Sequence, residues 1–101
     1  MPVRRVTMFK ISKESDRTKL LDLYKDMPSK AVKNGRPYIL SVEAGTTQQD
    51  ARAQGYTIAA TSVFESEEDL KYYDEGCEAH AELRGFVRSV SEGFLMVYFT
   101  V

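Results

Sequence analysis

The residue of this sequence best suited to acid–base chemistry is His80, the only histidine in the chain. Its reference pKa of about 6.5 allows an imidazole to give or take a proton near neutral pH. Tyr73 lies seven residues earlier, on the other side of a helix break at Gly76, and the two side chains could converge on one site across that break. The same pattern also fits a solvated or structural histidine and a tyrosine that belongs to the core.

Other reactive side chains near His80 form incomplete patterns. Cys77 and His80 have the spacing of half a zinc site, but there is no second pair, so we predict no metal site. Nothing marks a base and an orienting group for Cys77, so we expect no nucleophilic thiol. The acidic run from Glu65 to Asp69 is typical of a helix N-terminus, where carboxylates favour the helix dipole. Glycine-rich phosphate loops are absent, and we predict no cofactor.

Arg5 is an unusual residue for a predicted strand. It shares one strand face with Thr7 and Phe9, the face that we expect to meet the helices. An arginine there either lies at the sheet edge with its head group in water, or forms a fixed cation beside a pocket.

Length, charge and cysteine content limit the class of protein. The 101 residues suit one domain, so we predict a single domain over residues 1–101. The 14 basic and 15 acidic residues give a net charge of −1, and without a basic excess we expect no nucleic-acid partner. One cysteine suits a reducing compartment, and neither a signal peptide nor a membrane-spanning stretch is visible. We therefore expect a cytoplasmic protein without a membrane partner.

Two helical regions are predicted from apolar spacing and capping residues. The first begins at Ser15 or Asp16, and we expect Pro28 to end it because a proline ring is incompatible with a continuing helix. The second begins after Ser66, a strong N-cap candidate, breaks at a glycine and resumes over Glu78–Val90.

Four strands are predicted from β-branched and aromatic residues, over residues 3–11, 38–44, 56–64 and 94–101. Residues 29–37 and 45–55 are polar or rich in turn formers, so we expect irregular connections there. The resulting β-α-β-β-α-β order is the ferredoxin-like plan of the α+β class. It implies one four-stranded antiparallel sheet with both helices on one face.

The uncovered face of that sheet determines the predicted oligomeric state. Val6, Met8 and alternate residues of the apolar strand 94–101 would face water there. An exposed apolar face of that size favours contact with another molecule. We therefore predict a homodimer in which two sheets pack face to face and form a barrel.

Several short motifs follow one another in a recognisable order. They are Val6-Thr7-Met8-Phe9-Lys10 in the opening strand, Gly55-Tyr56-Thr57 before the third strand, Phe64-Glu65-Ser66 before an acidic helix, Tyr73, and Ala79-His80. Together they resemble the stress-responsive dimeric A/B barrel domain, and the resemblance covers essentially the whole chain. It implies a homodimer of ferredoxin-like subunits, in agreement with the prediction from the uncovered face.

The same resemblance implies candidate site residues. The family includes stress-induced plant proteins, members without known activity, and polyketide cyclases that perform an intramolecular aldol condensation. Carried over from those cyclases, His80 would remove a proton next to a carbonyl and Tyr73 would hydrogen-bond the carbonyl oxygen. The remaining pocket would be lined by Arg5, Thr7, Phe9, Tyr24, Ile58, Ala60, Phe86 and Met96.

Two hypotheses about function follow. The favoured one is a homodimeric stress-response barrel protein of unassigned activity that binds a small hydrophobic or polyketide-like molecule. It is favoured because Arg5 and Ile58 stand where the cyclases have histidines. The alternative is a cofactor-free enzyme that uses His80 and Tyr73, either a polyketide cyclase or a related monooxygenase.

Overall fold

A computed structural model describes residues 1–101, which form three α-helices and six strands. The main elements are β1 (Val3–Lys10), α1 (Glu14–Lys30), β4 (Ile39–Thr46), β5 (Ile58–Phe64), α2 (Glu67–Glu75), α3 (Glu78–Val90) and β6 (Gly93–Thr100). A short hairpin of β2 (Val32–Lys33) and β3 (Arg36–Pro37) follows α1, and a 3-10 turn spans Ala51–Ala53. None of the helices combines the length and the hydropathy needed to cross a membrane.

The main sheet has the strand order β4-β5-β1-β6, and every neighbouring pair is antiparallel. All three helices connect strands of this sheet and pack on one of its faces. The predicted α+β, ferredoxin-like arrangement is therefore confirmed. The second predicted helical region is divided into α2 and α3, as the glycine break had indicated.

The core lies between the sheet and the helices. Along β1, buried residues that face the helices alternate with half-buried residues that face the other way, and β5 follows the same alternation. The largest fully buried side chains of this layer are Tyr73, Phe64, Ile11, Leu20, Met27, Ile58 and Leu83. These contacts fix the positions of α2 and α3 over β1.

The opposite face of the sheet has no helix over it. Val6 pairs with Val97 and Met8 pairs with Leu95 across β1 and β6, so these four side chains share that face. Val97 and Phe99 are each 51% exposed and Leu95 is 42% exposed. The sequence prediction of an uncovered apolar face is confirmed.

The start of α1 differs from the prediction. The N-cap residue is Lys13, which makes no side-chain capping bond, and Ser15 and Asp16 lie inside the first turn. The guanidinium of Arg17 instead reaches back and donates from Nη1 to the carbonyl oxygens of Ile11 and Ser12, at 2.9 and 2.7 Å. These two hydrogen bonds hold the connection between β1 and α1 in place, and no side-chain oxygen caps the N-terminus of the helix.

The end of α1 also differs, because Pro28 does not terminate the helix. The helix continues to Lys30, with Pro28 in its last turn. The backbone N–H of Ala31 donates to the carbonyl oxygen of Met27 at 2.9 Å, and both of these residues are buried in the core. Tertiary packing of that turn outweighs the helix-breaking tendency of proline.

Part of the predicted irregular connection over residues 29–37 is an ordered hairpin. Asn34 and Gly35 form its two-residue turn, with φ of 53° and 77°. Positive φ at both central positions is typical of the tight turns that join antiparallel strands, and asparagine followed by glycine is the usual sequence for it. The sequence correctly indicated a turn at Asn34 and Gly35. The strands β2 and β3 have only two residues each, too few to be recognised as strands from the sequence.

Ser66 is the N-cap of α2, as predicted, and its hydroxyl accepts a hydrogen bond from the backbone N–H of Asp69 at 3.3 Å. At the other end, the N–H groups of Gly76 and Cys77 both donate to the carbonyl oxygen of Tyr72, at 2.7 and 3.0 Å. This tight ending turns the chain directly into α3. It brings the last turn of α2 and the first turn of α3 side by side.

Candidate functional site

A cavity of about 530 Å³ lies between α3 and the strands β1 and β6. Thr7 and Phe9 of β1 line it, and their cross-strand partners Met96 and Phe94 of β6 continue the same wall. β6 is the edge strand of the sheet, so no further strand or helix closes the outer side of the cavity beyond α3. The volume falls within the range of small-molecule pockets, roughly 300–1,000 Å³.

The helix α3 supplies the opposite wall. His80, Arg84 and Arg88 follow one another at intervals of four residues, and Leu83 and Val87 lie beside them. Residues three and four apart share one face of a helix. The cavity therefore has a polar row and an apolar row on the same helix face.

His80 is buried in the first turn of α3, with 2% of its surface exposed. Its Nδ1 lies 2.8 Å from the backbone oxygen of Tyr73 and 3.7 Å from Oδ1 of Asp74. A carbonyl oxygen can only accept a hydrogen bond, so Nδ1 donates and carries the hydrogen of the neutral ring. The lone pair is then on Nε2, which has no hydrogen-bond partner within the chain.

Burial is the main reason why the pKa of His80 is lowered from 6.5 to about 3. The positive charges of Arg5 and Arg84 lower the pKa as well, whereas the hydrogen bond to Tyr73 acts in the opposite direction. The ring is therefore neutral at physiological pH, and its contact with Asp74 is not an ion pair. The free Nε2 has the lone pair that a base needs, but the lowered pKa makes the imidazole a weak base in this environment.

Tyr73 is fully buried and packs against His80 without reaching the cavity. The two rings are stacked, with centroids 3.7 Å apart and an interplanar angle of 12°. The hydroxyl groups of Tyr73 and Tyr24 are buried and lack a hydrogen-bond partner in the chain. Burial raises the pKa of Tyr24 to about 12 and also raises the pKa of Tyr73.

Arg5 is a fixed, buried cation beside the cavity. Its Nη2 donates to Oδ1 of Asp74 at 2.9 Å, and its Nη1 donates to the hydroxyl of Thr7 at 2.7 Å. The guanidinium carbon also lies 5.2 Å from the centroid of the Tyr73 ring. Of the two positions that the sequence left open for Arg5, the structure has the one beside a pocket.

The structure brings together five of the residues predicted for the site. His80, Arg5, Thr7, Phe9 and Met96 line the cavity. The other five predicted residues do not line it: Tyr24, Ile58, Ala60 and Tyr73 lie in the core, and Phe86 packs against that core from the next position on α3. The reason is that α1 and α2 seal the sheet over β5, whereas only the region over β1 and β6 stays open.

Sequence reasoning missed four charged residues of this site: Asp74, Arg84, Arg88 and Glu92. Asp74 lies in the last turn of α2 and binds Arg5, and Arg84 and Arg88 line the cavity from the His80 face of α3. A signal for the two arginines was present, since they repeat the position of His80 at helical intervals. Asp74 had no such signal, because its role depends on how α2 packs over β1.

The free Cys77 is buried at the N-cap of α3. No group of three or more histidine, cysteine, aspartate or glutamate side chains is arranged to hold a metal ion. The cavity wall itself presents the neutral imidazole of His80 and the guanidinium groups of Arg84 and Arg88.

Known proteins resemble this chain in sequence and in structure. A curated protein of Gibberella zeae, a fusaristatin A biosynthesis cluster protein, is 39% identical over 98 residues, which cover 96% of this chain and 71% of that protein. A hydroxynitrile lyase from Passiflora edulis has a similar structure, with a TM-score of 0.82 over 99% of this chain and 93% of that chain, at 18% identity. A dimeric ferredoxin-like protein of unknown function from Thermobifida fusca gives a TM-score of 0.81 over 100% and 92%, at 14% identity.

The sequence itself also matches a family model over nearly its whole length. The model describes the stress responsive A/B barrel domain, and the match covers residues 3–101. The motifs around Gly55, Ser66 and His80 lie within the matched range. The chain therefore belongs to the stress-responsive A/B barrel domain family.

Proposed function

We propose that this protein is a homodimer that binds a small, largely apolar molecule in the cavity between α3 and the β1–β6 edge of the sheet. The observation that carries this proposal is the cavity itself, which has an apolar wall and a neutral histidine with a free nitrogen. Pockets that combine apolar lining with a few convergent polar groups are typical of ligand sites.

The uncovered sheet face supports the dimer. Leu95, Val97 and Phe99 are exposed side by side on β6, next to the half-buried Val6 and Met8. A second copy that presents the same face would bury all of these side chains around a two-fold axis. The similar protein from Thermobifida fusca is described as dimeric, in agreement with this assembly.

The relative from Gibberella zeae supports a biosynthetic role. Because that protein is named for a biosynthesis cluster, and because the sequence resembles a family that includes polyketide cyclases, we propose a biosynthetic intermediate of polyketide type as the ligand here. A function in stress response and a cytoplasmic location stay predictions from the sequence.

A second candidate function is catalysis of proton transfer, and the tautomer of His80 favours it. With Nδ1 tied to the Tyr73 carbonyl, Nε2 is the atom that would remove a proton from a carbon next to a carbonyl. The resulting enolate carbon would then attack a second carbonyl of the same molecule, whose π bond breaks to give an alkoxide, and the alkoxide would take the proton back from Nε2, as in an aldol addition. Tyr73 would act as a positioning residue that holds the ring of His80, because its hydroxyl is outside the cavity.

Native mass spectrometry of the gently purified protein tests the binding proposal. We expect a dimer mass that carries a reproducible small adduct. Met96→Trp fills the cavity from β6 and should remove the adduct, whereas Ala81→Trp, at an exposed position of α3, should retain it. A monomer would contradict the dimer, and an adduct that survives Met96→Trp would contradict the site.

The catalytic candidate needs a separate test on a poly-β-keto thioester. We expect His80→Gln to abolish turnover while the variant still binds the substrate in the same mass-spectrometric assay. Full turnover by His80→Gln would eliminate His80 as the base, and absence of turnover by the wild-type protein would leave the binding function as the conclusion.

A further inference from the structure

Arg84 and Arg88 are two unpaired cations in the wall of the cavity. They lie on successive turns of α3, and both line the cavity. No carboxylate lies within ion-pair distance of either guanidinium, although Lys30, Lys33 and Arg52 all have acidic partners. Like charges four residues apart on a helix repel each other, so this arrangement has a cost in the empty protein.

Hydrogen-bond donors in this wall also lack acceptors. Nε of Arg84 is buried and has no partner in the chain, and the same holds for Nε of Arg5, a residue that is only 8% exposed. A buried donor without an acceptor is destabilising, and such groups are rare in native proteins. Arg5 and Arg84 thus each have a donor available for an anion at this cavity, and Arg88 adds an exposed guanidinium to the same wall.

The acidic groups of the same cavity do not cancel this charge. Asp74 is engaged by Arg5 through its Oδ1, and Glu92 lies exposed at the rim. Three arginines face two carboxylates in the lining, which leaves one positive charge in excess. The whole chain has a net charge of −1, so this local excess is opposite in sign to the protein as a whole.

We propose that the cavity takes an apolar molecule that carries a single carboxylate, with the carboxylate bound by Arg84 and Arg88. The apolar part would lie against Phe9, Phe94 and Met96 on the sheet wall. This inference rests on the proposed binding function and specifies the class of ligand. A planar guanidinium binds a carboxylate through two parallel hydrogen bonds, and an excess of one charge matches a monoanion better than a phosphate dianion.

Calorimetric titration with three probes of equal chain length tests the assignment. The probes are octanoate, 1-octanol and octyl phosphate, used at neutral pH and low salt. We expect octanoate to bind about tenfold more tightly than octanol, as for a hydrogen-bonded ion pair in a partly buried site. Octyl phosphate should bind no more tightly than octanoate.

Variants locate the charge that is responsible. Arg84→Gln should remove most of the roughly tenfold advantage of octanoate, and Arg88→Gln, at an exposed position, should remove a smaller part of it. Both should leave octanol affinity unchanged, and retained octanol binding shows that the variant is folded. Arg36→Gln is the matched control, because Arg36 is exposed on the distant hairpin. Its octanoate affinity should equal that of the wild-type protein.

The outcomes separate this inference from the function on which it rests. Equal binding of octanoate and octanol, or octanoate affinity that survives both arginine substitutions, overturns the carboxylate assignment and keeps the apolar cavity as a binding site. Tighter binding of octyl phosphate replaces the carboxylate by a phosphate ester and also overturns the proposal. Failure of all three probes to bind contradicts both the inference and the proposed binding function.

Discussion

The imidazole of His80 lies flat against the ring of Tyr73, with 3.7 Å between the ring centroids and 12° between the planes. The Tyr73 backbone oxygen accepts a hydrogen bond from the same imidazole at 2.8 Å. One residue thus holds the histidine from two directions, through its ring and through its carbonyl. This arrangement fixes both the orientation of His80 and the nitrogen that carries its hydrogen.

The first prediction concerns the protonation state of His80. We expect the ring to stay in the neutral Nδ1–H form between about pH 8 and about pH 5, because burial lowers its pKa to about 3. Nitrogen-15 NMR of the imidazole measures this directly, and His80 is the only histidine. A titration midpoint near that of a free histidine, or the Nε2–H tautomer, would contradict the hydrogen-bond assignment.

A second prediction links His80 to stability against acid. The unfolded chain takes up a proton at His80 below pH 6.5, but the folded chain does so only near pH 3. The unfolded state therefore binds more protons in this interval, and the free energy of unfolding falls as the pH is lowered. The contribution of His80 is complete above pH 6.5, decreases by about 1.4 kcal/mol per pH unit below it, and stops changing near pH 3, where the folded chain also takes up the proton.

Urea denaturation at a series of pH values measures this slope. The carboxylates titrate in the wild-type protein and in His80→Gln alike, so the difference between the two proteins isolates the histidine. We expect His80→Gln to lose less stability on acidification than the wild-type protein. Parallel pH profiles of the two proteins would show that His80 is accessible to protons in the folded state.

A third prediction separates the ring of Tyr73 from its hydroxyl. Tyr73→Phe keeps the stacked ring and removes a buried hydroxyl without a partner, so we expect the free energy of unfolding to stay equal or to rise by up to about 1 kcal/mol. Tyr73→Ala removes the ring from a fully buried position and should cost about 3–5 kcal/mol. Both values come from urea denaturation.

The same variants test what Tyr73 does for function. If it acts by positioning His80, Tyr73→Phe should preserve the ring-current shift on the His80 protons and any turnover that the wild-type protein has. A large loss of turnover in Tyr73→Phe, with that shift unchanged, would instead support donation from the hydroxyl to a substrate carbonyl.

A fourth prediction concerns the ion pair of Arg5 and Asp74. The side chain of Arg5 is 9% exposed and that of Asp74 is 26% exposed. Asp74→Asn leaves a buried guanidinium without its counter-ion and should cost about 2 kcal/mol, less than for a fully buried pair. Arg5→Met replaces the charge by an apolar side chain and leaves Asp74 able to contact water, so it should cost less. The reverse order of the two unfolding free energies would contradict this account.

A fifth prediction tests the uncovered sheet face. Val97→Lys places a charge at the centre of this face, and we expect it to convert the proposed dimer into a monomer, as measured by sedimentation equilibrium. Ala81→Lys adds the same charge at an exposed position of α3 and should leave the dimer intact. A Val97→Lys variant that stays dimeric would move the interface to another surface.

Patterns that depend on near neighbours in the chain were readable from the sequence. The alternation along β1, the oxygen of Ser66 three residues before Asp69, and the helical spacing of α3 each determine local structure through backbone geometry. The end of α1 was not readable. Pro28 disfavours a helix locally, but burial of Met27 and Ala31 maintains the last turn, and that burial depends on distant parts of the chain.

The candidate site divides in the same way. The sequence by itself determined that His80 and Tyr73 flank a break between two helices, and that Arg5 lies on the inner face of β1. Only the tertiary structure decided that the Tyr73 hydroxyl is buried away from the cavity, and that Asp74 and Arg84 approach His80. The physical reason is that these contacts join residues of α2, α3 and β1 that are far apart in the chain. The spacing of residues in the sequence specifies only which face of a helix or strand each side chain occupies.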